Sequence, residues 1–440
     1  MSRAVNWTLC LAACLLGFTL ARQVPARDES SSAADRTRED FELMRLFAEA
    51  CEQIDLRYVR DVDRRKLLDH AIRGMLNGLD PYSSWIARDE LARFEQSLDQ
   101  EFTGIGIQVH LVNGRVEILS TLNESPAARA GVRSGDVLLA VDGNAVTNLS
   151  PVEIGKLISG PVGRPVSLRM QRVTTEAEET LEIVREKVTV PTVSGVTRDG
   201  NSKWEWWIDA ANRIGYIRLS HFSRNTAAEL RQALQELAEQ QARGLILDLR
   251  SNPGGRVESA VEIADMFLES GRIVSMQGRA VSEKVWEATA GTGISSSLPL
   301  AVLINRQSAS ASEILAAALQ DQHRAVLVGE RSFGKGSVQT VIRMDSGRSA
   351  MKLTTAGYLR PSGINIHKFP DSRPEDNWGV RPDSDLQVEL TNEQWTEWVQ
   401  HRESRSGTGT AGTSPPNDTA DLQLQRALVW AVSQASGQTP

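Results

Sequence analysis

Two short stretches hold residue types that can do covalent chemistry together. The first is N-R-Q-S-A-S-A-S-E-I, Asn305 to Ile314, and the second is G-K-G-S-V-Q, Gly334 to Gln339. Leu298 to Ile304 is an apolar, strand-like run, while Ile314, Leu315, Ala318 and Leu319 recur at helical spacing. Ser310-Ala-Ser-Glu313 between them fits a capping box, with Ser310 at the N-cap and Glu313 at N3. That puts a hydroxyl at a helix mouth beside the free N–H of Ala311, where the dipole and open amides suit an oxyanion. A plain helix cap is the competing reading of Ser310. Lys335 stands between two glycines and can be buried by close backbone approach. Burial favours the neutral amine, which can take a proton from a serine hydroxyl. Gln339, four residues on, can orient that amine by a hydrogen bond.

These paired motifs, S-A-S-A-S-E-I and F-G-K-G-S-V-Q, resemble those of the carboxy-terminal processing (tail-specific) serine peptidases, the S41 type with a PDZ domain. The resemblance implies a Ser–Lys dyad with Ser310 as nucleophile, Lys335 as general base and Gln339 as the residue that orients the lysine. Ser308 and Ser312 are rival nucleophiles. Ser312 would lie inside the first helical turn and Ser308 before the cap, so Ser310 is favoured.

The elements around these motifs follow from pattern. Phe102 opens F-T-G-I-G-I-Q-V, and the passage from Asn123 to Gly143 leads to a short helix near Pro151 to Ile158. This order resembles a PDZ domain over 99–187. The resemblance implies that the backbone of Gly104, Ile105 and Gly106 receives a peptide's terminal carboxylate while the peptide adds as a strand. A hairpin turn with glycines at positive φ is the plain alternative. From 188 to 400 strands and helices alternate, which gives an α/β core. Gly244 to Leu249 is a buried strand followed by R-S-N-P-G-G, a turn able to present bare N–H groups. In the family this turn supplies the second oxyanion amide, here Gly254 or Gly255. The full expectation is a multidomain α/β protein: helical N-terminal segment, PDZ domain, crotonase/ClpP-like peptidase core and C-terminal helix.

At the edges, Met1 to Ala26 reads as an export signal, with Arg3 before the apolar run Leu9 to Leu20 and small residues at Ala21 or Ala26. The expected location is the bacterial periplasm, with a membrane tether if that segment is not cleaved. The segment 27–98 combines a flexible leader with helices that carry no chemistry and serve packing or self-association. Residues 401–420 read as a Gly/Ser/Thr/Pro linker and 421–440 as a closing helix. Cys51, alone outside the signal, reads as a small buried apolar residue. The polar stretch Ile364 to Trp378 has no role legible in its residues.

The net charge of −7 over 440 residues disfavours a nucleic-acid partner. The substrate implied is a protein or peptide C-terminus, with no metal or other cofactor. Gly329 to Lys335 imitates a phosphate-binding loop. However, Gly336 stands where Ser or Thr should hold Mg²⁺, and a strand-like run follows the lysine. A Ser–His–Asp hydrolase lacks its G-x-S-x-G elbow, and His323 reads as facing solvent or core. A PDZ adaptor with an inactive core is the remaining alternative.

Overall fold

A computed structural model describes residues 29–91, 94, 102–112, 114–122, 124–188, 190–199, 203–291, 298–406 and 421–437. The expected export signal and the heart of the expected linker lie outside these. The chain divides into two units, residues 1–75 and 76–440. In the first, α1 (Glu29–Arg57) and the start of α2 (Arg64–Asn77) are joined by an Arg64–Asp55 ion pair. The leader expected to be flexible is therefore helical from Glu29, in keeping with its Ala, Glu and Arg content. Cys51 is only half-buried and unpaired, contrary to the buried reading, because the face of α1 around it stays open: Phe41, Met44 and Phe47 are exposed.

In the second unit, β1 (Ser84–Ile86) precedes the PDZ-like body. That body comprises β2 (Phe102–Gly104), β3 (Ile107–Val112), β4 (Arg115–Thr121), α3 (Pro126–Arg129), β5 (Val137–Val141), α4 (Pro151–Ile158), β6 (Pro165–Gln171), β7 (Glu178–Val184) and β8 (Glu186–Val188). β3 to β7 form one antiparallel sheet with β3 at an edge, and β8 returns to pair with β2. Alternate residues of β4 (Val116, Ile118) and β6 (Val166, Leu168, Met170) face inward onto Ile154 and Ile158 of α4. Ser150 and Glu153 form a complete capping box that starts α4.

The core is a sheet with parallel strands in the order β9 (Ile214–Leu219), β10 (Gly244–Asp248), β13 (Leu300–Ile304) and β14 (Val326–Gly329). Its strands are buried throughout because both faces are covered. On one face Leu245, Leu247, Val302 and Ile304 meet α5 (Thr226–Glu239), α6 (Val257–Asp265) and α7 (Ala311–Asp321). The residues between them, Ile246, Ala301 and Leu303, point the other way, onto Leu424, Ala427 and Ala431 of α9 (Leu422–Ser436). A second, antiparallel sheet runs β1, β16 (Ser349–Leu359), β11 (Arg272–Gly278), β12 (Val281–Glu287), with β15 (Ser337–Met344) also paired to β16. A further helix, α8 (Asn392–Ser406), extends into the first six residues of the expected linker, which therefore begins no earlier than 407.

Candidate active site

Each helix of the core sheet starts where a strand ends, so the β10 turn, the β13 turn and the loop after β14 gather on one side of the sheet. Ser310 ends the β13 turn at φ 57°, ψ −116°, a conformation that side chains rarely adopt. It is held there by backbone bonds. Ala309 N–H donates to the Asn252 carbonyl at 3.0 Å, and Glu313 N–H donates to the Ser310 carbonyl at 2.8 Å.

The three serines separate by environment. Ser308 and Ser312 are fully buried, and their hydroxyls donate to the carbonyls of Leu249 (2.8 Å) and Asn252 (2.9 Å). Ser310 is partly exposed. A hydroxyl already committed to a carbonyl in a closed interior cannot meet a substrate.

Glu313 does far more than cap a helix. It is fully buried and accepts four hydrogen bonds: Ser310 N–H at 2.8 Å, Lys335 N–H at 2.8 Å, Gly334 N–H at 2.6 Å and the Ser332 hydroxyl at 2.5 Å. Burial pushes its carboxyl above the usual range, and the four donors pull against that. Ser310 N–H and Lys335 N–H share one oxygen, so a single carboxylate brings the two motifs together. The capping signature could locate Glu313 in the sequence but could not reveal its other three partners, Ser332, Gly334 and Lys335.

Lys335 is half-buried, and burial lowers its amine below the ordinary lysine value. Lys352 pushes the same way and Glu313 opposes. Its side chain has no ion pair or hydrogen bond among the described residues, and Nζ lies 5.4 Å from the centre of the Tyr82 ring. The flanking glycines are necessary. A Cβ at Gly336 would fall 2.4 Å from His367 N, and one at Gly334 would fall 2.8 Å from the Lys368 Cβ. Thus residues 364–378, silent in the sequence, wrap the lysine loop. Lys368 N–H also donates to the Gly334 carbonyl at 2.8 Å. Gln339 sits on β15, and its Nε2 donates to Ser337 (2.9 Å) and Thr354 (3.3 Å) rather than contacting the lysine.

The R-S-N-P-G-G turn meets Ser310 through Gly254. A Cβ there would lie 2.7 Å from the Ser310 Cβ and 2.9 Å from Ala311 N, at φ 97°. Gly254 N–H donates to the Asn252 Oδ1 at 2.9 Å, whereas Gly255 N–H and Ala311 N–H have no acceptor among the described residues. Gly255, at φ 143°, packs against the Phe222 backbone.

The turn's first residue is an unexpected anchor. Arg250, 2% exposed, pairs with Asp248 (2.7 Å) and with Asp421 (2.6 Å), the N-cap of α9. Burial opposes its charge, yet the two carboxylates hold it well above the ordinary arginine value.

In the PDZ-like body, Gly104 pairs with Glu186, Ile105 is buried in the core, and Gly106 (φ 77°) packs on Ser125. The three thus lead into β3, whose outer edge pairs with no strand among the described residues and lies beside α4.

The rival chemistries find little support in these surroundings. A strand, not a helix, follows Lys335. His323 is exposed beyond the far end of α7, an 11-residue helix that is itself about 16 Å long and starts at Ser310. Among the described residues no group of three or more His, Cys, Asp or Glu could hold a metal, and no helix is long and apolar enough to cross a membrane.

Parallel strands feeding helix starts, a half-buried lysine loop and an appended PDZ-like body define an α/β protein of modular build. The pattern of Peptidase family S41 matches residues 213–386, that of the PDZ domain matches 118–172, and that of the Activating protease CtpB N-terminal domain matches 13–90. The chain is 33% identical over 413 residues to the Carboxy-terminal-processing protease of Bartonella bacilliformis, covering 90% of each. It is 37% identical over 321 residues to the Carboxy-terminal processing protease CtpA of Bacillus subtilis, covering 72% of this chain and 66% of that one. Among solved structures, the photosystem II D1 C-terminal processing protease is 32% identical, covering 78% of this chain and 92% of that one with a TM-score of 0.45. The chain belongs to the carboxy-terminal processing protease family, and it is a serine-type peptidase.

Proposed function

We propose that this protein cleaves exported proteins near their C-termini by a Ser310–Lys335 dyad, after its PDZ domain has captured the substrate tail. The supporting observation is the shared Glu313 oxygen, which keeps the serine and lysine backbones together, while the lysine side chain has no ion pair among the described residues. Neutral Lys335 takes the Ser310 proton as the oxygen attacks the scissile carbonyl. The N–H of Ala311 and that of the Gly254–Gly255 turn receive the developing oxyanion, and the unclaimed N–H of Gly255 favours that residue. The lysine then protonates the departing amine, and water activated by the same amine releases the acyl group. Gln339 braces the lysine strand through Thr354, leaving its carbonyl oxygen available to the amine.

The test is cleavage of an unfolded protein by Ser310→Ala and Lys335→Ala. Each is expected to lose activity by about a thousandfold or more, and near-normal turnover in either would reject the dyad. For tail capture, the free edge of β3 beside α4 accepts an added strand whose carboxylate meets the Gly104–Gly106 backbone. A substrate with a free C-terminus should then show a higher kcat/KM than its amidated form. The Arg3 and Leu9–Leu20 segment directs export to the periplasm in this reading, and sequencing the mature N-terminus checks it. The exposed Phe41, Met44 and Phe47 on α1 suit pairing with a second copy.

A further inference from the structure

Lys335 has a neighbour that the catalytic reading does not use. The Asp80–Ser83 turn, just before β1, is pinned on every side. Asp80 accepts the N–H of Tyr82 and of Ser83 at 2.7 Å each, and the Ser83 hydroxyl at 2.9 Å. Ser83, 3% exposed, accepts Thr354 N–H at 3.1 Å, and Thr354 is the residue that Gln339 holds. β1 then fixes the turn by pairing Ser84 with Lys352 of β16. On this mount the Tyr82 ring faces the Lys335 amine at 5.4 Å, with its flank against the His367 ring at 5.9 Å, which in turn packs on Phe369 at 4.8 Å.

We propose that Tyr82 is a positioning residue for the peptidase reaction, its ring being the wall that keeps the Lys335 amine dry and directed toward Ser310. The inference rests on the dyad reading. A ring acts on an amine in two opposed ways: its face attracts the ammonium form, while its bulk excludes the water that form needs. At 5.4 Å the attraction is near its outer reach of about 6 Å, so water exclusion dominates. This agrees with burial being the largest influence on Lys335. The other charged groups facing the amine are Lys352 on β16, which favours the neutral form, and Glu313 on α7, which opposes it. Asp80 is occupied within its own turn. Burial pushes His367 below the ordinary histidine value.

The test compares pH profiles of kcat/KM for the full chain on an unstructured peptide, with melting curves as controls. Activity rises with pH as Lys335 loses its proton. Tyr82→Phe is expected within about twofold of wild type at all pH values, because the ring remains. Tyr82→Ala is expected to be about tenfold or more slower near neutral pH. That loss falls in kcat and shrinks as pH rises, since the rehydrated amine titrates later. A Tyr82→Ala profile displaced equally at every pH, or coincident with wild type, overturns the proposal. So does a Tyr82→Phe enzyme as slow as Tyr82→Ala. If Tyr82→Ala does not fold, Tyr82→Ser, small enough to admit water, replaces it: its rising limb must lie above that of Tyr82→Phe, and coincidence counts against the wall. Lys335→Ala separates the two readings. If it stays active, the dyad itself fails. If it is inactive while the Tyr82 variants match wild type, only the role of Tyr82 falls.

Discussion

Ser310 shows how much a single residue is asked to tolerate. Its backbone sits at positive φ where glycine would be comfortable, and the surrounding bonds to Asn252 and Glu313 keep it there. Glu313 is therefore the residue whose loss should spread furthest. In Glu313→Gln an amide N–H₂ replaces one acceptor among four converging donors, leaving buried groups unpaired. We expect about 1–3 kcal/mol of lost stability in chemical denaturation, with kcat falling more than KM changes. Gly254 makes a sharper case. Gly254→Ala places a methyl 2.7 Å from the Ser310 Cβ and 2.9 Å from Ala311 N, in the space an oxyanion would need. About a hundredfold loss in kcat is expected, while binding of a C-terminal peptide by the PDZ domain stays unchanged in calorimetry.

At the scale of elements, the strands and helices nearest the chemistry were legible because their signals are local. A capping box, an apolar run of five and a Gly-Gly turn each announce themselves within ten residues. The apolar run expected at Leu298–Ile304 is β13, and the strand-like run expected after Lys335 is β15. What stayed hidden depends on distant pairing. β11 and β12 have no clean alternation, and β1 is a three-residue strand whose partner is some 270 positions away. The stretch 364–378 lacks any period, since its work is done by backbone groups and by the separate rings of His367, Phe369 and Trp378. Arg331 donates to the carbonyls of Pro374 and Trp378, and its guanidinium stacks 3.3 Å from the Trp378 ring centre, with burial pulling it down to about 10. Trp378→Ala should loosen the lysine loop and lower kcat/KM about tenfold, with a smaller deficit at high pH if the amine alone has gained water. A pH-independent loss would indicate that the loop has moved as a body.

Across the whole molecule, one buried charge joins elements that are remote in sequence. Arg250 opens the turn that carries Gly254 and Gly255 and is sandwiched between Asp248 and Asp421, with Trp398 stacked on it at 4.9 Å and donating to Asp421 at 3.1 Å. Removing Asp421 leaves the Nη1 edge of Arg250, the Trp398 N–H and the first turn of α9 without their acceptor, while Asp248 still balances the charge. Asp421→Ala should therefore cost about 1–3 kcal/mol in denaturant titration, and the surviving folded fraction should turn over more slowly. The packing of α9 on β10, β13 and β14 carries a further implication for how the molecule is made. Those strands precede the helix that roofs them by more than ninety residues, so an incomplete chain leaves Ile246, Ala301 and Leu303 bare. The clasp on the Arg250 turn is thus delivered late. A chain without residue 421 and its helix is an unroofed, adhesive layer.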